Sequence, residues 1–168
     1  MLLIYTGNGK GKTSACVGQV VRAFGQGLRV AFGQFMKKDG QAGEQKVLSE
    51  LLGARFLASG AGFFRNVADY PRHREKAEAL LGWAKKKLDE GVDLLVLDEI
   101  LYALGHDLVR REEVENLVGR CAAQDCHLVL SGRGAPDWLV EMADIVSDIR
   151  EVKHIHAQGG PARPGIEF

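Results

Sequence analysis

The chain reads as an α/β protein, a doubly wound and mostly parallel sheet with helices on both faces. Three observations predict it. Short apolar runs alternate with helical stretches from end to end. "VDLLVLDE" (Val92 to Glu99) is an unbroken apolar run closed by acids, the pattern of a strand covered on both sides. "TGNGKGKTS" (Thr6 to Ser14) places a glycine- and lysine-rich loop where a strand hands over to a helix.

In chain order, "LLIY" (Leu2 to Tyr5) is the first strand. "SACVGQVVRAF" is the first helix, with Ala15, Val17, Val20, Val21 and Phe24 near helical spacing. "RVAFGQF" (Arg29 to Phe35) is a strand, followed by a polar loop and a helix through "EQKVLSELL". "ARFLAS" (Ala54 to Ser59) is the third strand. "GAGFFRNVADYP" is expected to be a loop, because its glycines and Pro71 discourage regular structure. "RHREKAEALLGWAKKKLDEG" forms a long amphipathic helix closed by Gly91. After the Val92 to Glu99 strand come a helix over "RREEVENLVGRCAA", a fifth strand in "HLVLSGRG" (His127 to Gly134), a short helix in "DWLVEMA" and a last strand in "DIVSDIREVKHI". No repeat, low-complexity tract or long linker interrupts the series, so residues 1–168 are expected to form a single domain.

Composition narrows the function. Lys plus Arg (22) equals Asp plus Glu (22), which argues against nucleic acid as a main partner. No apolar run approaches the roughly 18 residues of a membrane span, and no signal peptide precedes the loop. Cys16, Cys121 and Cys126 show no C-x-x-C spacing and are expected to be buried thiols of a cytoplasmic protein. Trp83 and Trp138 are expected in the core or at an interface, and "KKKLDE" and "RREEVE" as solvated helix faces. His154 and His156 alternate without a third ligand, which speaks against a metal site there.

The glycine loop carries the chemistry. A P-loop reads G-x-x-x-x-G-K-[ST], and here Gly11, Lys12 and Thr13 supply its second half. Gly7 lies one residue closer than that spacing asks, so the loop is short. A dinucleotide G-x-G-x-x-G fails because Lys12 stands at its third glycine, and a purely structural turn does not need Lys10, Lys12 and Thr13 together. Backbone N–H groups turned inward by glycine, with the helix N-terminus behind them, suit phosphate oxygens. Gly7, Asn8, Gly9, Lys10, Gly11, Lys12, Thr13 and Ser14 are therefore candidate nucleotide-binding residues, with Lys12 on phosphate and the Thr13 hydroxyl on Mg²⁺ (or Mn²⁺). This makes the sheet one of the P-loop nucleotide-binding (RecA-like) kind.

Ligands in such sheets bind beyond the carboxyl ends of the strands. The P-loop, Gln34 and Lys37, the Gly60 to Arg65 loop, Asp98 and Glu99, and Ser131 to Gly134 all follow strands and should meet at one edge. Asp98 and Glu99 are the expected metal partners, and the Arg133 guanidinium suits a phosphate.

Beyond these readings, "GNGKGKTS", "QFMKKDGQAGEQ", "LLVLDEILYAL", "LVLSGRGAPDWLVEMADIVSDIREVKH" and the ending "GIEF" resemble the P-loop ATP:corrinoid adenosyltransferases of cobalamin synthesis, the CobA, CobO or BtuR type. The likeness runs from Tyr5 to Phe168. It implies transfer of the 5′-deoxyadenosyl group of ATP to a Co(I) corrinoid, with release of intact triphosphate and ATP reversed in the loop. Lys12 and Glu99 would be catalytic, and Thr13 and Glu99 would hold the metal, with Asp98 behind them. It also implies a reduced flavoprotein as electron donor and a homodimer.

Aromatic side chains in the loop after the third strand would displace the lower cobalt ligand, which assigns Phe63 a catalytic role. The family's "GFTW" reads Gly62-Phe63-Phe64-Arg65 here, so Arg65 stands where tryptophan is typical; either Phe64 substitutes by a shift in the loop or the corrinoid face is built differently. Only six residues precede Gly7, whereas the family commonly has a longer segment there that helps cover the corrinoid. Two other readings stay open on residues alone: a Mg-ATPase in which Glu99 positions water, and a non-catalytic module that binds nucleotide or corrinoid.

Overall fold

The computed structural model describes residues 1–62, 64, 66–155 and 159–167. Six strands form one sheet: β1 (Leu2–Thr6), β2 (Val30–Gln34), β3 (Phe56–Ala58), β4 (Leu94–Asp98), β5 (His127–Ser131) and β6 (Ile145–Asp148). Their spatial order is β3-β2-β4-β5-β1-β6, and every pairing is parallel. Among the described residues six α-helices accompany them: α1 (Lys12–Gly25), α2 (Gly43–Leu52), α3 (Tyr70–Asp89), α4 (Ile100–Gly105), α5 (Arg111–Ala123) and α6 (Asp137–Met142).

The period of two along each strand splits the core into two layers. On β4, Leu94 and Val96 join Phe32 of β2 and Val129 of β5 against Cys16, Val20 and Ala23 of α1 and Leu48 and Leu52 of α2. Leu95 and Leu97 turn the other way, to Leu80, Leu81, Ala84 and Leu88 of α3, Ile100 and Leu101 of α4, and Leu117 of α5. Covering both faces is why β4 reads as an uninterrupted apolar run. The sheet is thus doubly wound, as the alternation of elements predicts.

Three elements differ from the sequence reading. Pro71 does not end the loop but sits in the first turn of α3, where its missing N–H costs nothing. α4 was not expected, because "LLVLDEILYALG" is equally apolar on both sides of its two acids. Glu99 breaks it into strand and helix by adopting φ 62°, a left-handed conformation at the cap of α4. β6 is four residues long rather than the whole of "DIVSDIREVKHI", because the chain beyond it leaves the sheet to cross the glycine loop.

Trp83 packs on the core, facing the backbone of Gly33, and Trp138 lies partly buried against the same layer with Arg111 over its ring at 4.6 Å. Cys16, Cys121 and Cys126 are free and buried, as expected. Burial pushes the Cys16 thiol well above its ordinary range, so it is an inert core thiol.

Candidate active site

Register places the functional side chains before any side-chain contact is considered. Gln34 at the end of β2 is paired with Asp98 at the end of β4, Tyr5 with Ser131, and Thr6 with Asp148. One row of polar residues therefore runs along the carboxyl edge of the sheet, and the glycine loop rises from it between Thr6 and α1.

The loop is braced from two sides. From within, the Lys12 ammonium donates to the carbonyls of Gly7 at 2.8 Å and Gly9 at 2.7 Å. From without, the segment after β6 lies against it, with Gly9 N–H donating to Ile149 O at 2.6 Å. A Cβ on Gly9 would stand 2.6 Å from Ile149 O and 2.7 Å from the Arg150 carbonyl carbon, and one on Gly7 would collide with Asp148 and Ile149. These two glycines are thus required by the crossing segment as well as by any phosphate. The sequence reading assigned 144–155 to a strand and had no signal for this crossing.

At the start of α1 the loop meets a buried carboxylate. Asp98 is 0% exposed and accepts from Ser131 Oγ at 2.6 Å, Gln34 Nε2 at 3.0 Å, Lys37 Nζ at 3.3 Å and Thr13 Oγ1 at 3.1 and 3.2 Å. Lys37 reaches further, to Thr13 Oγ1 and Glu44 Oε1, each at 3.0 Å. Gln34 also donates to Glu44, and Gln45 donates to Gln34 at 2.9 Å, tying α2 into the same network. Burial alone would lower the Lys37 pKa, but the charges of Asp98 and Glu44 overcome it and hold it above its ordinary value. Burial would likewise raise Glu44, and Lys37 reverses it to a lowered pKa.

Glu99 is different in kind. Its amide donates to Ser131 Oγ at 3.1 Å, while its side chain lines the cavity beside Lys12, Thr13 and Arg133. Burial, with the charge of Asp98 added, raises its pKa above the ordinary carboxylate value, against the pull of Lys37 and Lys12. Lys12 is lowered, first by burial and then by Arg133. Gly132, φ 139°, lets β5 exit close against α4, since a Cβ there would meet Leu101 Cβ at 2.8 Å and Tyr102 N at 2.9 Å.

These groups open on a cavity of about 1040 Å³, running from Asn8 to Ser14 past Lys37, Glu44, Glu99, Tyr102 and Arg133. The structure gathers Asn8 to Ser14, Lys37 and Arg133 on this cavity, with Asn8, Lys10, Ser14 and Arg133 exposed. Gln34 does not line it but donates to Asp98 and Glu44, and Gly7 lines a neighbouring cavity with Asn8 and Arg133. Met36 and Gly62 line the first cavity from the loops after β2 and β3, and His154, Gly165, Ile166 and Glu167 from the C-terminal segment. Phe63 and Arg65 lie outside the described residues. Phe64 packs inward, with ring centroids 6.4 Å from Tyr70, 5.3 Å from His73 and 5.5 Å from His106, as an anchor of the loop.

Glu44 and the hydroxyl of Ser131 received no role from the sequence. Glu44 had a signal in the "GE" of "QFMKKDGQAGEQ", whereas Ser131 reaches Asp98 only because β5 pairs with β4. The oxygen donors Thr13, Asp98 and Glu99 suit a hard dication, and the Lys37 ammonium already seated on Thr13 and Asp98 shows that the spot favours positive charge. Among the described residues no three His, Cys, Asp or Glu side chains gather as a metal site.

The parallel sheet, the glycine loop at the head of α1 and the acidic pair on the adjoining strand ends define a P-loop nucleotide-binding protein. Residues 1–168 match the family described as ATP:corrinoid adenosyltransferase BtuR/CobO/CobP, and the chain belongs to that family. A corrinoid adenosyltransferase of Pseudomonas aeruginosa is 37% identical over 171 residues, covering 100% of this chain and 83% of the relative. One from Escherichia coli K12 is 33% identical over 169 residues, and corrinoid adenosyltransferase CobA of Salmonella typhimurium 34% over 173, each covering 100% of this chain and 85% of its own length. The chain is accordingly an enzyme of adenosyl transfer to corrinoids, with ATP and corrinoid as substrates. Among the described residues no helix is long and apolar enough to cross a membrane.

Proposed function

We propose that the chain transfers the 5′-deoxyadenosyl group from ATP to the cobalt of a Co(I) corrinoid and releases intact triphosphate. The observation that carries this is a cavity in which the glycine loop, Lys12, Thr13 and Glu99 face the loops after β2 and β3. A nucleotide held in that loop leaves the Met36, Gly62 and Tyr102 wall for a second, larger substrate.

Under this reading Co(I) supplies an electron pair to C5′, the Co–C bond forms, and the C5′–O bond breaks with its pair left on the triphosphate. The protein's task is to receive that charge. The loop N–H groups, the α1 N-terminus and the Lys12 ammonium are fixed before the reaction, so they stabilise the departing triphosphate without reorganising. Lys12 would exchange the Gly7 and Gly9 carbonyls for phosphate oxygens, and Arg133 would close from the rim. Mg²⁺ held by Thr13 and Glu99, with Asp98 behind, would supply further charge neutralisation when bound. Asp98 keeps the Thr13 hydroxyl aimed, and is itself held by Ser131, Gln34 and Lys37.

The electron that makes Co(I) would come from a reduced flavoprotein, and Phe63 would clear the lower face of the cobalt. Exposed Ile145 and Val146 on the edge strand β6 support a homodimer. A second reading, hydrolysis of ATP by water set on Glu99, is favoured by the placement of that carboxylate in the cavity. Phosphate analysis separates them, because transfer yields triphosphate and hydrolysis yields ADP and phosphate. Phe63→Ala should spare transfer to chemically reduced Co(I) and impair it when a protein donor must reduce Co(II). Equal loss in both assays would give Phe63 another role.

A further inference from the structure

The Lys37 ammonium occupies an unusual seat. It lies 3.0 Å from Thr13 Oγ1, 3.3 Å from Asp98 Oδ2 and 3.0 Å from Glu44 Oε1. The Thr13 hydroxyl donates to Asp98 and accepts from Lys37, and a metal ion held by Thr13 would draw on that same oxygen. An ammonium and a dication drawn to one hydroxyl oxygen repel each other strongly in a part-buried site, so the two compete for it. Glu44 faces Lys37 from α2, outside the Thr13–Asp98 pair, and is the lysine's partly exposed partner where Asp98 is its buried one. Gln34 donates to both carboxylates and so bridges the two positions.

We propose that Lys37 is a built-in cation that competes with Mg²⁺ for the Thr13 hydroxyl oxygen in front of Asp98, and that Glu44 is the positioning residue that retains the ammonium when the metal takes that oxygen. This rests on the metal assignment of the proposed function. Lys37 would keep the buried Asp98 neutralised at all times and would set how tightly the site takes a dication before nucleotide arrives. A free carboxylate there would otherwise bind metal whether or not ATP was present.

The test uses the full chain and Mn²⁺ alone, with free Mn²⁺ followed by electron paramagnetic resonance in the absence of nucleotide. Lys37→Met keeps the apolar stem and removes the charge, and should lower the Mn²⁺ dissociation constant about tenfold. Lys46→Met, an exposed lysine on the same α2, should leave it unchanged. Glu44→Gln should raise the dissociation constant in the native background and have no further effect in the Lys37→Met background, since Glu44 acts through Lys37.

Unchanged or weakened Mn²⁺ binding in Lys37→Met would overturn the competition. A Glu44→Gln effect that persists without Lys37 would make Glu44 a direct ligand and overturn its positioning role. Should Lys37→Met not fold, Lys37→Gln carries the same expectation. Because no turnover is involved, a tighter Mn²⁺ site in a protein that released no triphosphate would leave this inference standing and sink the transferase reading instead.

Discussion

Ser131 Oγ donates a 2.6 Å hydrogen bond to Asp98 Oδ1 and accepts one from the Glu99 amide, so one hydroxyl on β5 orients both acids on β4. Asp98 is fixed inward, in the core, while Glu99 is turned out through a left-handed residue into the cavity.

Ser131→Ala should therefore cost more than a surface serine would. It removes a donor from a buried carboxylate and leaves the Glu99 amide without its partner, a loss of about 1–3 kcal/mol. Chemical denaturation checks the stability. Adenosyl transfer should fall with it, as Glu99 loses its fixed direction.

Lys12→Ala should reduce kcat by roughly 10²-fold or more, the scale for losing one fixed charge-stabilising donor. Corrinoid binding should stay near normal, because the Met36, Gly62 and Tyr102 wall is untouched. Steady-state kinetics beside a corrinoid binding titration checks both. Near-native turnover would remove the loop lysine from the mechanism.

Gly9→Ala and Gly18→Ala should act in opposite directions. A Cβ at Gly9 meets the backbone of Ile149 and Arg150, neither of which can swing aside, so ATP affinity should collapse and the melting temperature fall. Gly18 lies inside α1 with nothing within 4 Å of a new Cβ. Alanine there should stabilise by about 0.4–1 kcal/mol with ATP affinity unchanged. Thermal melts with and without ATP read both.

These contrasts also show what the sequence can and cannot carry. β4 and the glycine loop were legible because each is a local pattern: a continuous apolar run, and glycines with Lys12 and Thr13 at fixed spacing. α4 was not, because a run that is apolar as strand and apolar as helix has no periodicity at its border, and only the φ of Glu99 divides it. The Ser131 hydroxyl, Glu44 and the crossing of Ile149 over Gly9 depend on which strands and helices become neighbours, information that no window of residues contains. Pro71 misled for a simpler reason, since a proline that breaks a helix interior is accommodated in its first turn.

Away from the site, Arg74 grips Glu113 through two 2.7 Å hydrogen bonds, joining α3 to the start of α5, where Glu113 also accepts from the Arg110 amide. The Arg74 hydrogen bonds lower the Glu113 pKa below its ordinary 4.5. A depressed carboxylate contributes stability that is present above the unfolded pKa and lost as pH falls through the folded one. Stability should thus drop below pH 4.5, and Glu113→Gln should remove that part of the drop while costing about 2 kcal/mol at neutral pH. Denaturation midpoints across acid pH decide it.

The most direct test of the account is anaerobic incubation of the protein with chemically reduced Co(I) corrinoid, ATP and Mg²⁺, following the corrinoid spectrum and the phosphate products together. The account predicts an adenosylated corrinoid and one intact triphosphate for each Co–C bond formed. ADP and phosphate with no new Co–C bond would contradict it and return the site to ATP hydrolysis on Glu99.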